Sequence, residues 1–364
     1  MNVRVVKSRS GRSEFLRFRR KIYSGSPYID DNYFMLLEIF SGKLHLTQSV
    51  DFFPVIVSDE EDNVLCEGLV VFALGLPDCI QLCFFEALPD QEEAVKLLLK
   101  KACKMGRERN CSRLVIGLYG HVNYGLGLLA SHFDTGNSFS EPGNPAYYID
   151  YFRKAGCSET RLNSYLTDPL PEPSESPLKK YERVIRRLEE GFHFRFFDRK
   201  NFEQDSRIFT DLNNLCFHEH CYYYERDYED DREMLKELFL FMKEDSLIYA
   251  FKGDKPAAFI LWYPDFNELA KAGECFGTKH FFKNLYAGNK IRTAKVVEYG
   301  VIRECRGLGL PVVLIDKAYR QMRKHGMTRM ESSWVLEENA DSNSFCRAIT
   351  DSAYKKYVVF EKEI

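Results

Sequence analysis

The stretch Val296-Val-Glu-Tyr-Gly-Val-Ile302 runs directly into Arg303-Glu-Cys-Arg306-Gly-Leu-Gly309-Leu-Pro311, after which Leu310, Leu314, Ala318 and Met322 recur at four-residue spacing. This order predicts a strand, a glycine-bearing loop and an amphipathic helix. Arg320, Arg323, Lys324 and His325 suit the last helical turn, and Gly326 is placed as the C-terminal cap. A helix N-terminus presents unpaired N–H groups and the positive end of a dipole, and glycines let a phosphate come close to the backbone. Arg306, Gly307 and Gly309 therefore make 303–311 the candidate anion cradle.

Outward from this stretch, 328–336 reads as a following strand, while 246–252 and 257–263 read as a hairpin around Gly253-Asp-Lys255. The first half carries the same series: apolar runs 54–58 and 66–73 around an acidic turn at 59–63, a strand 80–86, a helix-period segment and a strand 113–118. An ungapped offset of about 216 residues superposes Leu98 on Leu314, Lys101 on Lys317, Ala102 on Ala318, Arg113 on Arg329 and Asn123 on Asn339, which indicates an internal duplication. At the same offset the loop 303–309 meets Ala87-Leu-Pro-Asp90-Gln-Glu92-Glu93. Carboxylates in a first turn cap a helix but repel a diphosphate. Only the second half is expected to bind a phosphorylated cofactor, leaving the first to shape the acceptor side. The proline-rich run 168–177 is the expected linker between a lobe at 1–167 and a lobe at 178–364.

The chain has 364 residues, 45% of them hydrophobic, enough for two cores. Its formal charge of −3 provides no global field for nucleic acid or an anionic membrane. No apolar run is long enough to span a bilayer, and residues 1–20 do not read as a signal peptide, so a soluble cytoplasmic protein is expected. Eleven scattered cysteines suit a reducing compartment.

On the loop motif, the second half resembles the GNAT (GCN5-related N-acetyltransferase) superfamily, whose strand, Arg/Gln-x-x-Gly-x-Gly/Ala loop and helix hold the coenzyme A diphosphate. Arg306-Gly-Leu-Gly309-Leu-Pro311 matches all but the last position, where Pro311 lacks an N–H. The whole chain is similar to tandem GNAT-like bacterial proteins described as acyltransferases, through segments that include Phe15-Leu-Arg-Phe-Arg19-Arg-Lys-Ile-Tyr23, Cys83-Phe-Phe-Glu86, Gly120-His-Val-Asn123, Asn144-Pro-Ala-Tyr147-Tyr148 and Glu331-Ser-Ser-Trp334. The resemblance implies an α+β fold with mixed sheets, a tandem duplicated acyl-CoA N-acyltransferase architecture of two similar lobes. It implies acetyl-CoA or another acyl-CoA as co-substrate, a small-molecule amine as acceptor and no metal; oligomerisation stays open. Val301, Ile302, Arg303, Arg306, Gly307, Leu308, Gly309, Leu310 and Asn339 are then the cofactor-binding candidates.

Acyl transfer from a thioester to an amine needs a base for the amine, polarisation of the carbonyl and a proton for the thiolate. In GNAT folds two parallel strands splay at the thioester, which makes Glu298 and Glu331 the candidate bases. The superfamily often places a proton-donating tyrosine seven residues after an asparagine; here Asn339 is followed at that spacing by Cys346, so Cys346 and Tyr354 are the candidates for that role. Asp265, Asn267, Trp334 and Tyr147 are candidate substrate contacts. Two further readings stand beside the enzyme: a non-catalytic acyl-CoA binding or sensing protein, and a tRNA-dependent aminoacyl transferase of the same tandem architecture.

Cys216-Phe-His218-Glu-His220-Cys221 contains four ligand-type side chains but lacks the paired Cys-x2-Cys spacing of a zinc site. It reads as a helix near the cleft. The aromatic and acidic run 222–231 is expected to be a solvated helix end or loop.

Overall fold

Antiparallel strands feeding a parallel pair through a helix recur twice along the chain. The computed structural model describes residues 1–172, 175–350 and 352–364. In chain order the elements begin with β1 (Asn2–Val5), α1 (Arg9–Tyr23), α2 (Tyr33–Ser41), β2 (Val50–Ser58), β3 (Val64–Ala73), β4 (Cys79–Ala87), α3 (Glu92–Arg107), β5 (Arg113–Ile116), β6 (Leu128–Leu129), α4 (Tyr147–Lys154) and β7 (Ser158–Thr167). There follow α5 (Glu182–Gly191), β8 (His193–Phe196), α6 (Phe202–Phe217), α7 (Tyr228–Leu238), β9 (Leu247–Lys252), β10 (Lys255–Pro264), α8 (Thr278–Ala287), β11 (Thr293–Val301), α9 (Leu310–Lys324), β12 (Arg329–Leu336), α10 (Ala340–Ile349) and β13 (Ser352–Glu363).

Two compact units result: Met1–Leu162 with Ala270–Thr278 and Lys355–Ile364, and Asn163–Leu269 with Lys279–Tyr354. In the first unit the strand order is β1-β2-β3-β4-β5-β13. Its core lies under α3, whose Ala94, Leu98 and Ala102 are fully buried among β-strand residues such as Val55, Ile80 and Leu114. In the second unit the order is β7-β12-β11-β10-β9-β8. There α9 buries Leu310, Leu314, Ala318 and Met322, the four-residue stripe legible in the sequence. Each fully buried leucine of these stripes contributes about 1.5–3 kcal/mol. Gly326, at φ 78°, ends the helix where Met327 N donates to the Met322 carbonyl at 3.0 Å.

The repeat is visible in the register. β4 and β5 pair in parallel from Cys79↔Arg113 to Leu82↔Ile116, and β11 and β12 from Thr293↔Arg329 to Val296↔Ser332. Beyond Leu82 and Val296 the strands part. On the antiparallel side each first strand is irregular at that point, between Glu67 and Leu69 for β3–β4 and between Leu261 and Trp262 for β10–β11. Such bulges bend a strand and re-aim its side chains.

The structure departs from the sequence reading in two respects. The constant offset does not extend to the first strands, because four residues, 88–91, separate β4 from α3 whereas eight, 302–309, separate β11 from α9. The cradle is thus a longer loop rather than a substituted one. The expected division at 168–177 also differs. β13 pairs with β5 through Phe360↔Ile116 and Glu361↔Val115, so the last ten residues complete the first unit's sheet. The segment 270–278 joins the same unit, where Asp30 N donates to the Glu274 carbonyl at 2.9 Å. The run 168–177 lies inside the second unit: Leu170 is buried, its N–H donates to the Thr328 carbonyl, and the Tyr319 hydroxyl donates to the Pro171 carbonyl. Proline removes donors but leaves carbonyls to be used. Pro173 and Ser174 of that run lie outside the described residues.

Candidate functional site

At the end of β11 the chain makes one tight turn at Arg303–Cys305, extends at Arg306 and enters α9 through Gly307 at φ 77° and Gly309 at φ 98°. The buried Cys305 anchors the turn from beneath. Gly309 occupies the N-cap in the left-handed region, where a Cβ would also meet Val184 at 3.0 Å; a Cβ on Gly307 would meet nothing within 4 Å. Among the described residues no backbone carbonyl accepts from the amides of Gly307, Leu308, Gly309 or Leu310. The first turn of α9 carries no acidic residue. Pro311 sits in that turn, where a missing N–H leaves no helical bond unmade. These features fit a diphosphate. At the matching end in the first unit, Glu92 and Glu93 occupy the first turn of α3, and Gln91 N donates to the Tyr151 hydroxyl at 2.9 Å. That helix start is closed by its own carboxylates and by Tyr151 of α4.

Arg306 does not extend freely from the cradle. Its Nη1 donates to Glu219 Oε2 at 3.0 Å, its Nη2 to the Cys216 carbonyl at 3.2 Å and its Nε to the Val301 carbonyl at 3.3 Å. Ile302 N donates to the Ala257 carbonyl, holding the end of β11 against β10. Arg303 and Leu308 are exposed.

Glu298 lies two residues past the last parallel pair, opposite Leu261 at the bulge. Burial pushes its carboxyl up to about 8; nearby Asp231 adds to the rise and Arg226 opposes it. Gly300, on the same face of β11, comes so close to α6 that a Cβ there would meet Cys216 at 2.9 Å. Tyr299 faces the other way, its ring 5.8 Å from that of Phe345. Glu331, by contrast, is inside the ladder, paired with Lys295 one step before the strands part; both are buried.

The remaining candidates are distributed as follows. Cys346 is buried against Tyr165 and Val335, and burial pushes its thiol up to about 11. Tyr354 is half-buried in β13. Asn339 caps α10, accepting from Ser342 N at 3.1 Å. Asp265 accepts from Asn267 N at 3.1 Å, closing the turn after β10, and both are buried. Trp334 is half-buried past the last parallel pair on β12, with an indole N–H that finds no acceptor among the described residues. Tyr147, in the first unit, donates to the Ala87 carbonyl at 2.8 Å. The second unit brings Glu298 and the loop 301–310 close to the end of α6, while Glu331, Cys346, Asp265 and Asn267 are buried and Asn339 caps α10.

One local expectation is corrected. The run 222–231 is not a solvated end: Tyr222, Tyr223, Arg226, Asp230 and Asp231 are buried, and Arg226 holds Asp231 at 2.6 Å. It closes over the Glu298 side of β11, a role its acidic, aromatic composition concealed. Among the described residues no three His, Cys, Asp or Glu side chains converge as metal ligands.

The first unit holds a polar centre that sequence reasoning passed over. Arg19 of α1, 2% exposed, donates to both Asp30 oxygens at 2.8 and 2.7 Å and to Glu86 Oε1 at 2.6 Å; Tyr148 donates to Glu86 Oε2 at 2.8 Å. Burial pushes the Glu86 carboxyl up to about 7 although Arg19 pulls it down. Across the ladder from it, Glu67 is fully buried with neither carboxylate oxygen hydrogen-bonded among the described residues, and burial pushes its carboxyl well above the usual range. Nothing in the run Arg17-Phe-Arg19-Arg-Lys21 sets Arg19 apart from its basic neighbours.

Residues 208–349 match the family described as Acetyltransferase (GNAT) family. The chain is 24% identical over 254 residues to Protein YghO of Escherichia coli, covering 67% of this chain and 64% of that protein. It is also 24% identical over 287 residues to the bacterial ceramide synthase of Caulobacter vibrioides, covering 76% and 74%. The chain thus matches less than two thirds of YghO's length. Among solved structures, a tandem GNAT protein from the clavulanic acid biosynthesis pathway superposes with a TM-score of 0.56 at 11% identity, covering 100% of this chain and 98% of that one. Residues 208–349 thus match the acetyltransferase (GNAT) family, and the chain has the fold of a tandem GNAT protein.

Proposed function

We propose that the chain is an acyl-CoA-dependent N-acyltransferase whose second unit carries both the cofactor cradle and the base. GNAT enzymes use acyl-CoA, which supplies an activated acyl group as a thioester. The observation that carries the reading is the glycine loop 303–309, its amides open at the head of an acid-free helix turn. Amides 307–310 and Arg306 hold the diphosphate, while Val301 and Ile302 fix the end of β11. Glu298, at the point where β11 and β12 part, takes one proton from the ammonium acceptor; the freed lone pair then attacks the acyl carbon, the C–S bond breaks, and the second nitrogen proton passes to the thiolate, which leaves as the free thiol. A carboxyl raised to about 8 is matched to this task, since a base works best near the operating pH. The likeness to a ceramide synthase supports amide formation, ceramide being an N-acylated amino alcohol.

The experiment is release of free thiol from acetyl-CoA and longer acyl-CoA in the presence of a panel of amines. Turnover that needs an amine and falls on Glu298→Gln supports the reading. Thiol release indifferent to the amine and to that substitution contradicts it.

A second reading, a binding or sensing protein, is favoured by one observation. Cys346 stands where a proton-donating tyrosine is common, and it is buried with its thiol raised to about 11. Saturable acyl-CoA binding without turnover on any amine would select it. The net charge of −3 counts against a charged tRNA as donor.

A further inference from the structure

In α8 the usual arrangement of an amphipathic helix is inverted. The side turned to the protein carries the polar groups: His280 is buried, Lys283 donates to the Leu269 carbonyl, and Asn284 donates to the Phe241 carbonyl at 3.0 Å. Phe281 packs edge-on against Phe241 at 5.7 Å and completes the inner contact. The side turned to water carries Phe282, Leu285 and Tyr286, exposed by 58%, 67% and 73%. These three are spaced i, i+3 and i+4, so they form one continuous stripe. Leu240, next to Phe241 in the chain, is 54% exposed. Scattered exposed apolar residues need no explanation, but a stripe of three large ones on one helix marks a surface that meets something apolar.

Charge indicates what that is. Residues 279–292 include Lys279, Lys283, Lys290 and Arg292 and no aspartate or glutamate, in a chain whose net charge is −3. Exposed Lys279 and Lys290 flank the stripe, one turn before Phe282 and one turn after Tyr286. Aromatic and leucine side chains flanked by lysines suit a helix lying in the headgroup layer, its apolar face among acyl chains and its cations against anionic lipid. A helix of ten residues cannot cross a bilayer, and no helix among the described residues is long and apolar enough to do so. A docking face needs no such length.

We propose that α8 docks this protein on an anionic lipid surface through Phe282, Leu285 and Tyr286, with Lys279 and Lys290 at the headgroups. The proposal is independent of the catalytic assignment, since none of these side chains belongs to the cradle or to the Glu298 setting.

The test is sedimentation of the full chain with vesicles of phosphatidylcholine alone and of phosphatidylcholine with roughly a third phosphatidylserine. The expected result is binding to the mixed vesicles, weaker binding to the neutral ones, and a loss of about tenfold or more when Phe282, Leu285 and Tyr286 are all changed to Ser. Lys279→Glu with Lys290→Glu should remove the preference for phosphatidylserine while leaving residual binding to both vesicle types. All five side chains are on the surface, and an unchanged melting temperature confirms that the variants fold. Failure of the parent protein to sediment with mixed vesicles overturns the proposal, as does equal binding by the triple variant. A lipid-free dimer seen by analytical ultracentrifugation and abolished by the triple variant, without vesicle binding, assigns the stripe to a second copy of the chain and overturns it too.

Discussion

Glu219 Oε2 accepts from Arg306 Nη1 at 3.0 Å, so the cation at the mouth of α9 is held by a carboxylate just beyond the end of α6. Both side chains are more than a third exposed. Exposed pairs of this kind are weak, and a diphosphate can replace the carboxylate as partner. Glu219→Gln should therefore strengthen coenzyme A binding a few-fold, with a steeper dependence on salt, as measured by titration at two ionic strengths. Weaker binding would mean that Glu219 orients Arg306 for the ligand.

Glu298 sets a pH dependence of defined sign. Working as a base it must be ionised, so kcat/KM should rise with pH through about 8, the value to which burial pushes it. Glu298→Gln should cost about 100- to 10,000-fold and abolish that limb. Stability should run the other way. The folded protein keeps a proton that the unfolded chain releases, so this group's contribution is complete below about 4.5 and is lost as pH rises through about 8. Denaturant unfolding at several pH values should show a flatter profile for the Gln variant.

Cys346 should be dispensable for chemistry. Its thiol, raised to about 11 and packed against Tyr165 and Val335, is neither ionised nor accessible near neutrality. Cys346→Ala should keep kcat within about threefold and lower stability by about 1 kcal/mol, read from turnover and urea unfolding in parallel. Iodoacetamide should reach the exposed Cys221 long before Cys346.

The Arg19 centre should be a stability determinant of the first unit. Arg19→Met leaves Asp30 and Glu86 buried without their cation and should cost about 3–5 kcal/mol in urea unfolding. Combining it with Glu86→Gln should recover part of that loss, which a double-mutant cycle measures.

The parts of this molecule written in local chemistry were legible in the sequence. The period of Leu310, Leu314, Ala318 and Met322 and the glycines of 303–309 predict a helix with a glycine-lined start, because spacing and φ preference are local properties. The bulge that sets Glu298 opposite Leu261 carries no local signature, so Glu298 and Glu331 looked equivalent until strand register separated them. Strand exchange was equally hidden. Nothing near Phe360 says that its partner is Ile116, more than two hundred residues earlier. The buried cluster of Arg19, Asp30 and Glu86 joins three distant segments, and only tertiary contact shows that their charges compensate one another. Polar composition misled at 222–231 for the same reason, since Arg226 and Asp231 form an ion pair out of water.

The central claim, that 303–311 cradles the cofactor and the matching helix start in the first unit does not, is tested most directly by calorimetric titration with acetyl-CoA. The parent chain should bind one equivalent. Arg306→Glu should abolish binding, while Asp90→Lys at the head of α3 leaves it unchanged. Undiminished binding by Arg306→Glu, or loss of binding on changing Asp90, would contradict the account.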